Sequence, residues 1–391
     1  MARLFVTHEG GGKTPFLRGI LTHSLQQAGL SFEDSFEIAS AVRAELGSRS
    51  KVTRGQIRRA ATRHLRRLGK DVAERYASSA GAAPTMYVVL ADGQRTPYSR
   101  GRHRQSLEAC GIELAAATRI SAAMYDAFVA RRAKDIEIAD LKRQTYAELK
   151  RHLGDDAARR YAVWEDHRHG DRPLVLLIGG TTGTGKSTVA TRAAHLLDIV
   201  RTQSTDMLRE VMRTIVPQRL VPSLHVSSFR AWETLPVAAR EAQGDGLLIE
   251  GYLRQAELLA VAGDAVVRRA STERVSVVLE GVHVHPTFLA DAVVGANAHV
   301  LRVMLAVLNR TELERRIRGR GRHARERRAK RYMPHFEAIC ALQDFLLSEA
   351  DRTGVPMVVN DDVDTAAREV VQIVMRALLA AFDGDEADVL A

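Results

Sequence analysis

Two rhythms of apolar and polar positions divide this chain, and the clearer one lies past its middle. Leu174 to Ile178 is an unbroken apolar run that stops at glycine, the pattern of a strand buried on both faces of a parallel sheet. A helical pattern follows from Thr188 to Leu197, and Asp198–Gln203 reads as a second strand ahead of a helix over Met207–Ile215. Pro217 and Pro222 break that helix. Next come a long helical pattern from about Leu247 to Ala270, a buried strand at Val275–Leu279 and a fourth strand at His299–Val307. A helix from Tyr332 through Leu347, a fifth strand at Val355–Val359 and a last helix opening at Asn360–Asp362 complete the series. Strands alternating with helices in this way predict an α/β domain around a five-stranded parallel sheet.

Ahead of Asp171 the chain repeats itself. Leu4–Leu30 returns as Met86–Ile112, with Pro15-Phe16-Leu17-Arg18-Gly19 matching Pro97-Tyr98-Ser99-Arg100-Gly101 and Ser24-Leu25 matching Ser106-Leu107. Val72-Ala73-Glu74-Arg75-Tyr76 parallels Ala157-Ala158-Arg159-Arg160-Tyr161 at the far end. Each unit reads as a glycine-turned hairpin and three helices, in the first about Leu17–Gln27, Phe32–Leu46 and Thr53–Tyr76. A period of about eighty residues is too long for a solenoid, so a duplicated small, mainly α-helical domain is expected. The expected boundaries are 1–82, 83–165 and 166–391, with polar Ala162–Pro173 as the linker into the third domain.

Composition changes the picture mainly through where the charge sits. A hydrophobic content of 46% and a charged content of 27% suit a soluble globular protein. No apolar run approaches a membrane span, and MARLFVTHEGGGK has no signal-peptide core, so a cytoplasmic protein without a membrane partner is expected. Cys110 and Cys340 have no Cys or His neighbour at metal-ligand spacing and read as thiols in a reducing compartment. Of the net charge of +10, a local excess of +8 lies between Arg310 and Arg331, where ten arginines and Lys330 face three glutamates. One arginine-dense segment suits phosphate handling better than a polyanion stripe, so nucleic acid is not the expected partner.

The chemistry gathers around Gly180-Thr181-Thr182-Gly183-Thr184-Gly185-Lys186-Ser187, a complete G-x-x-x-x-G-K-S between a predicted strand and a predicted helix. Its glycines let backbone N–H groups turn inward as an anion nest, and the next helix offers phosphate its positive end. Lys186 is expected at the β- and γ-phosphates of ATP, with the Ser187 hydroxyl on Mg²⁺. Ligands of an open α/β sheet lie beyond the carboxyl ends of its strands, which places Asp206 near the loop mouth. It reads as a base for an attacking hydroxyl or as a ligand to Mg²⁺ or its waters, with a helix N-cap as the structural alternative. Glu280, an acid ending an apolar strand, holds the Walker B position that orients Mg²⁺. Arg209 and Arg213 share a helix face, and His225 and Arg230 stand in a polar segment suited to an anionic substrate. His283 and His285 read as pocket walls. Arg315, Arg316, Arg318, Arg320 and Arg322 look too dense and too lightly paired for a solvated helix face, and predict a lid over the phosphates. Asn360 lies where an adenine-contacting loop is expected.

Two resemblances extend this reading. Each N-terminal unit resembles the ATP-cone, a small regulatory nucleotide-binding module, through its opening up to Pro15-Phe16, the helix start Arg18-Gly19-Ile20-Leu21 and a terminal Arg-Tyr. Where ATP-cones carry a Lys-Arg pair after the first strand, this chain has Thr7-His8-Glu9 and Leu90-Ala91-Asp92. Lys13 and Arg18, or Arg95 and Arg100, are the cations available in their place. The resemblance implies a nucleotide effector there, against the alternative of a scaffold that kept the fold and lost the ligand.

From Leu174 to about Val371 the chain is similar to archaeal-type 2-phosphoglycerate kinase, a relative of the nucleoside monophosphate kinases. The likeness runs through IGGTTGTGKST, STDMLREVMR, PSLHVSSFRAW, VVLEGVHVHP, RYMPHFEAICALQDFL and PMVVND in order. It implies a small phosphorylated acid as substrate, with ATP and Mg²⁺ converting 2-phosphoglycerate to 2,3-bisphosphoglycerate. By the same resemblance Gly180 to Thr188 with Lys186 and Ser187 hold ATP·Mg²⁺, Asp206 handles the acceptor hydroxyl and Glu280 serves the metal. Arg209, Arg213, His225, Arg230 and His283 are the candidates for the acceptor's surroundings, and Arg316, Arg320 and Arg331 for contacts from the lid. Plant proteins of similar build are tied to inositol phosphates, which makes such a phosphate the alternative acceptor. An ATP-sensing regulator that binds nucleic acid is the alternative outside enzymes. The oligomeric state is left open, a homo-oligomer included.

Overall fold

The structure is a computed structural model that describes the chain apart from residues 1–3, 8–12, 17, 28–29, 31, 48–50, 68, 70–72, 74–75, 77–85, 237–245, 290–296, 320–331 and 391. Its contacts gather into two units, Met1–Tyr98 with Ala127–Ile136, and Ser99–Asp126 with Glu137–Ala391.

The chain begins with β1 (Phe5–Thr7), β2 (Lys13–Pro15), α1 (Arg18–Gln27), α2 (Phe32–Leu46), β3 (Lys51–Thr53) and α3 (Arg54–Leu65). β1 runs antiparallel to β2 and parallel to β3, over a core that includes Leu4, Leu25, Val42 and Leu65. Thr53 caps α3 reciprocally: its hydroxyl accepts the Gln56 N–H at 3.2 Å, and the Gln56 side-chain Oε1 accepts the Thr53 N–H at 2.9 Å. The helix expected over Thr53–Tyr76 is present over Arg54–Leu65, and most of its remainder lies outside the described residues.

The same order returns as β4 (Tyr87–Val89), β5 (Arg95–Pro97), α4 (Arg100–Ala109), α5 (Leu114–Ala130), β6 (Asp135–Glu137) and α6 (Ile138–Leu153). Each repeat thus has a third strand, β3 or β6, that a hairpin and three helices leave out. The reason is local: each is three residues long with one buried side chain, Val52 or Ile136, too short for an alternating signal. Arg95 pairs with Asp135 and stacks over the Tyr87 ring at 4.5 Å, while Arg18 lies 5.4 Å over Phe36. The expected linker starts later than Ala162. α7 (Asp155–His169) continues through it because Ala162, Val163 and Trp164 are buried, and the turn comes at Gly170.

The remaining elements are β7 (Leu174–Gly179), α8 (Lys186–Leu196), β8 (Arg201–Ser204), α9 (Thr205–Ile215), α10 (Gly246–Glu273), β9 (Val277–Glu280) and β10 (His299–Ala306). After them come α11 (Arg310–Gly319), α12 (Phe336–Thr353), β11 (Met357–Val359), α13 (Val363–Ala381) and α14 (Glu386–Leu390). Five parallel strands stand in the order β11-β10-β7-β9-β8. β7, central and buried at every residue, is the unbroken apolar run. β8 starts three residues after the expected Asp198, because Asp198 takes a left-handed turn at φ 53°. In the same unit, the Gln105 amide donates to His195 O at 2.7 Å and the Gln372 amide to Gly111 O at 2.8 Å, which ties second-repeat residues to the sheet's helices. Among the described residues no helix is long and apolar enough to cross a membrane.

Candidate active site

Strand register brings the chemistry to one edge. Ile178 on β7 and Ser204 on β8 both pair with Glu280 on β9. The phosphate-binding loop, Glu280 and the start of α9 therefore leave the sheet side by side, at its carboxyl end.

The loop needs its glycines for space and for backbone conformation. Gly183 and Gly185 sit at φ 97° and 84°, in the left-handed region that disfavours side chains. A Cβ on Gly183 would lie 2.8 Å from Leu313 and Ile317, and one on Gly185 would lie 2.4 Å from the Asn360 amide. α11, the first part of the arginine-rich segment, thus packs directly on the loop. Lys186 opens α8, is buried, and donates from Nζ to Thr181 O at 2.8 Å. The Thr184 hydroxyl donates to the same carbonyl at 2.9 Å. Ser187, one residue into the helix, donates from Oγ to Glu280 Oε1 at 2.9 Å.

Asn360, expected near the adenine, is turned onto the phosphate-binding loop. It is fully buried, its amide donates to Thr184 O at 2.7 Å, and its own N–H donates to Ala306 O at 2.8 Å. Among the described residues its Oδ1 has no hydrogen-bond partner, so the anchor acts from one side. Replacing Asn360 with alanine would strip a buried loop carbonyl of its donor. A loss of about 1–3 kcal/mol of stability is expected, with weaker nucleotide binding, in urea titrations with and without ATP.

Around α9 the expectations separate. Ser204 is the N-cap, its hydroxyl accepting the Asp206 N–H at 3.2 Å, so Asp206 is released from capping. The Asp206 side chain is 64% exposed and lies 3.7 Å from the Arg209 guanidinium. Arg209, mostly buried, also donates to Val226 O, while its Nε has no partner among the described residues. Arg213 pairs with Glu210 at 3.0 Å, and Arg230 forms a two-pronged pair with Glu233 at 2.8 and 2.6 Å. His225 Nε2 lies 2.9 Å from Val216 O.

His283, expected at a pocket wall, has no exposed surface. It is fully buried and sits between Thr205 and Gln255, each of its ring nitrogens about a hydrogen bond away, at 3.0 Å. Arg315, Arg316 and Arg318 are better paired than the density of arginines suggests. Arg315 and Arg316 both bind Glu312, which holds that carboxyl down at about 2, and Arg318 binds Glu314. Arg316 also donates to Asp361 O at 3.2 Å, and its Nη1 lies 4.0 Å from the place of a Gly185 Cβ. Arg320, Arg322 and Arg331 lie outside the described residues. Sequence reasoning passed over Thr205 and Gln255. Gln255 had a signal, being a polar residue on the buried stripe of α10 with Gly251, Tyr252, Ala256 and Leu259.

Burial of four histidines is expected to make the fold acid-sensitive. It pushes His283 down to about 3, against a smaller opposing pull from Asp206, and pushes His103, His167 and His285 down to about 4. Between these values and the ordinary histidine range near 6.5 the unfolded chain binds protons that the folded one refuses. Stability is therefore expected to fall as pH drops from about 6.5 towards 4, by up to about 1.4 kcal/mol per pH unit per histidine. Urea midpoints across that window check it, and a flat profile would contradict neutral burial.

A glycine loop closed by a buried lysine, with a hydroxyl–carboxylate pair at the carboxyl end of a parallel sheet, defines the class of P-loop nucleotide-binding proteins. Relatives give the family. A 2-phosphoglycerate kinase of Methanocaldococcus jannaschii is 33% identical over 291 residues, 74% of this chain and 92% of its own length. Those of Methanopyrus kandleri and Pyrococcus horikoshii are 32% and 30% identical over 72% and 75% of this chain, and 85% and 95% of their own lengths. The chain belongs to the 2-phosphoglycerate kinase family. The 291 aligned residues outnumber those of 166–391, so the similarity reaches into the second repeat, and about a quarter of the chain stands outside it. No family model matches. A gluconokinase structure from Sinorhizobium meliloti aligns at 14% identity and a TM-score of 0.32 over 54% of this chain and 97% of its own, too loose a fit to bear on the fold.

Proposed function

We propose that this protein transfers the γ-phosphoryl group of ATP to the free hydroxyl of 2-phosphoglycerate, giving 2,3-bisphosphoglycerate. The observation that carries the reading is the Ser187–Glu280 pair at 2.9 Å beside the glycine cradle, with Asp206 in the first turn of α9, two residues past the strand end that pairs with Glu280. Family membership supplies the acceptor.

In this reading the backbone from Gly180 to Thr188 and the Lys186 ammonium hold the triphosphate. A hydroxyl and one carboxylate are the sparse donor set that Mg²⁺ takes when phosphates and waters complete its shell, so Ser187 and Glu280 would hold it. Bound there, the ion would neutralise phosphate charge. Asp206 takes the proton of the acceptor hydroxyl as that oxygen bonds to the γ-phosphorus. The bond from that phosphorus to the bridging oxygen breaks, and ADP leaves. Arg209, with an Nε that has no partner among the described residues, suits the acceptor's carboxylate or phosphate, which guanidinium binds in two-pronged fashion. Arg213, His225 and Arg230 stand as further acceptor contacts, Arg230 after leaving Glu233. Arg316, with Arg320 and Arg331 as companions, would stabilise charge on the transferring group.

A panel of 2-phosphoglycerate, unphosphorylated glycerate and an inositol phosphate, followed by ADP release, tests the acceptor. kcat/KM for 2-phosphoglycerate is expected to exceed the others by about 10²-fold or more, because buried polar groups left unpaired reject poor fits. Preference for the inositol phosphate would keep the mechanism and replace the substrate.

A further inference from the structure

A buried polar chain runs beside both proposed catalytic carboxylates. Gln255 lies fully buried in the middle of α10. Its amide nitrogen donates to Val226 O at 3.1 Å and also to Ser223 O. With both of those donors committed, its Oε1 can only accept, so His283 Nε2 carries the proton and donates across 3.0 Å. His283 Nδ1 is then the acceptor for the Thr205 hydroxyl, also at 3.0 Å. One directed chain therefore runs from Thr205, next to Asp206, through the turn that follows Glu280, to the Ser223–Val226 segment.

The elements around it leave little slack. One turn before Gln255, the Tyr252 hydroxyl donates to Val282 O at 2.8 Å. A Cβ on Gly251 would lie 2.2 Å from Trp232 N, and one on Gly281 would lie 1.7 Å from the Thr205 hydroxyl. α10 thus grips the turn after Glu280 and the polar segment at once, and Arg209 reaches the same Val226 carbonyl from α9. The donors of Gln255, His283 and Thr205 are all used, and a buried network satisfied in this way fixes one arrangement of its members.

We propose that Gln255 is a positioning residue for the acceptor: through Val226 O, Ser223 O and His283 it holds the Ser223–Trp232 segment in register with Asp206 and Glu280. The proposal rests on the reading of this segment as the acceptor's wall. Gln255 touches no reacting atom, so its effect appears in acceptor binding and leaves ATP binding alone.

The test compares the full chain with Gln255→Met, which keeps the volume and removes every hydrogen bond, and with Thr205→Val, which removes only the far link. Gln255→Met is expected to raise the acceptor KM about tenfold, as lost buried hydrogen bonds do, with the KM for ATP within about twofold of the parent. Thr205→Val is expected to shift the acceptor KM in the same direction by less. Hydrogen exchange supplies a readout that needs no acceptor: backbone amides of residues 223–232 exchange faster in Gln255→Met, while those of β7 do not. Unaltered exchange there in a folded variant, or both KM values rising together, would overturn the proposal. Should Gln255→Met fail to fold, Thr205→Val decides by the same two readouts. If the parent protein does not phosphorylate 2-phosphoglycerate, the functional reading fails, and the exchange result still decides whether Gln255 holds the segment.

Discussion

Lys186→Ala is expected to lower kcat/KM by about 10²–10³-fold or more, the effect of deleting a donor aimed at charge that develops in transfer. The structure explains why the loss should be catalytic. The Lys186 side chain is buried at the head of α8 and held by Thr181 O within the loop itself, where phosphate would displace it. Alanine is a strong helix former, and removing a buried ammonium relieves desolvation, so the urea midpoint is expected to hold or rise. Steady-state kinetics beside a urea titration separates the cases. Normal turnover by a folded variant would remove the loop from catalysis.

Asp206→Asn carries the second large expectation, a fall in kcat of about 10²–10⁴-fold, the usual contribution of a positioned base. Asparagine keeps the shape and cannot take the proton. Ser204 caps α9 and the Asp206 carboxylate is largely exposed, so the helix does not depend on it. Nucleotide affinity is expected to stay near that of the parent, because Lys186, Ser187 and Glu280 remain. Single-turnover rates and ATP titrations measure the two effects separately. A change confined to the acceptor KM would recast Asp206 as a binding residue.

How much of this was legible in the sequence depended on whether a residue's neighbours lie close along the chain. The phosphate-binding loop was readable because a strand, a glycine turn and a helix occupy one continuous stretch, and burial made β7 apolar throughout. β8 was harder: its residues are mostly exposed, and the left-handed turn at Asp198 begins just where a strand was expected. β3 and β6, with one buried residue each, left no period to detect. The pairing within α11 does not show in the density of arginines, since Glu312 engages both Arg315 and Arg316 within one turn.

The site shows the same limit. Asp206 and Glu280 could be placed because strand ends converge in an open α/β sheet. His283 could not, because its partners Thr205 and Gln255 lie 78 and 28 residues away in the chain. Spacing alone made His283 a wall beside His285, and only burial shows it as a neutral link. Asn360 reads from the sequence only as a residue near the adenine, and nothing local announces that its amide reaches Thr184, 176 residues back.

Direct product analysis tests the central claim. The protein is incubated with 2-phosphoglycerate and ATP labelled with heavy oxygen in the γ-phosphate, and the product mass is read. The expected product is 2,3-bisphosphoglycerate carrying the label on the phosphate newly joined to the formerly free hydroxyl, formed in step with ADP. Label released only as inorganic phosphate, or ATP bound without any acceptor-dependent ADP, would contradict it.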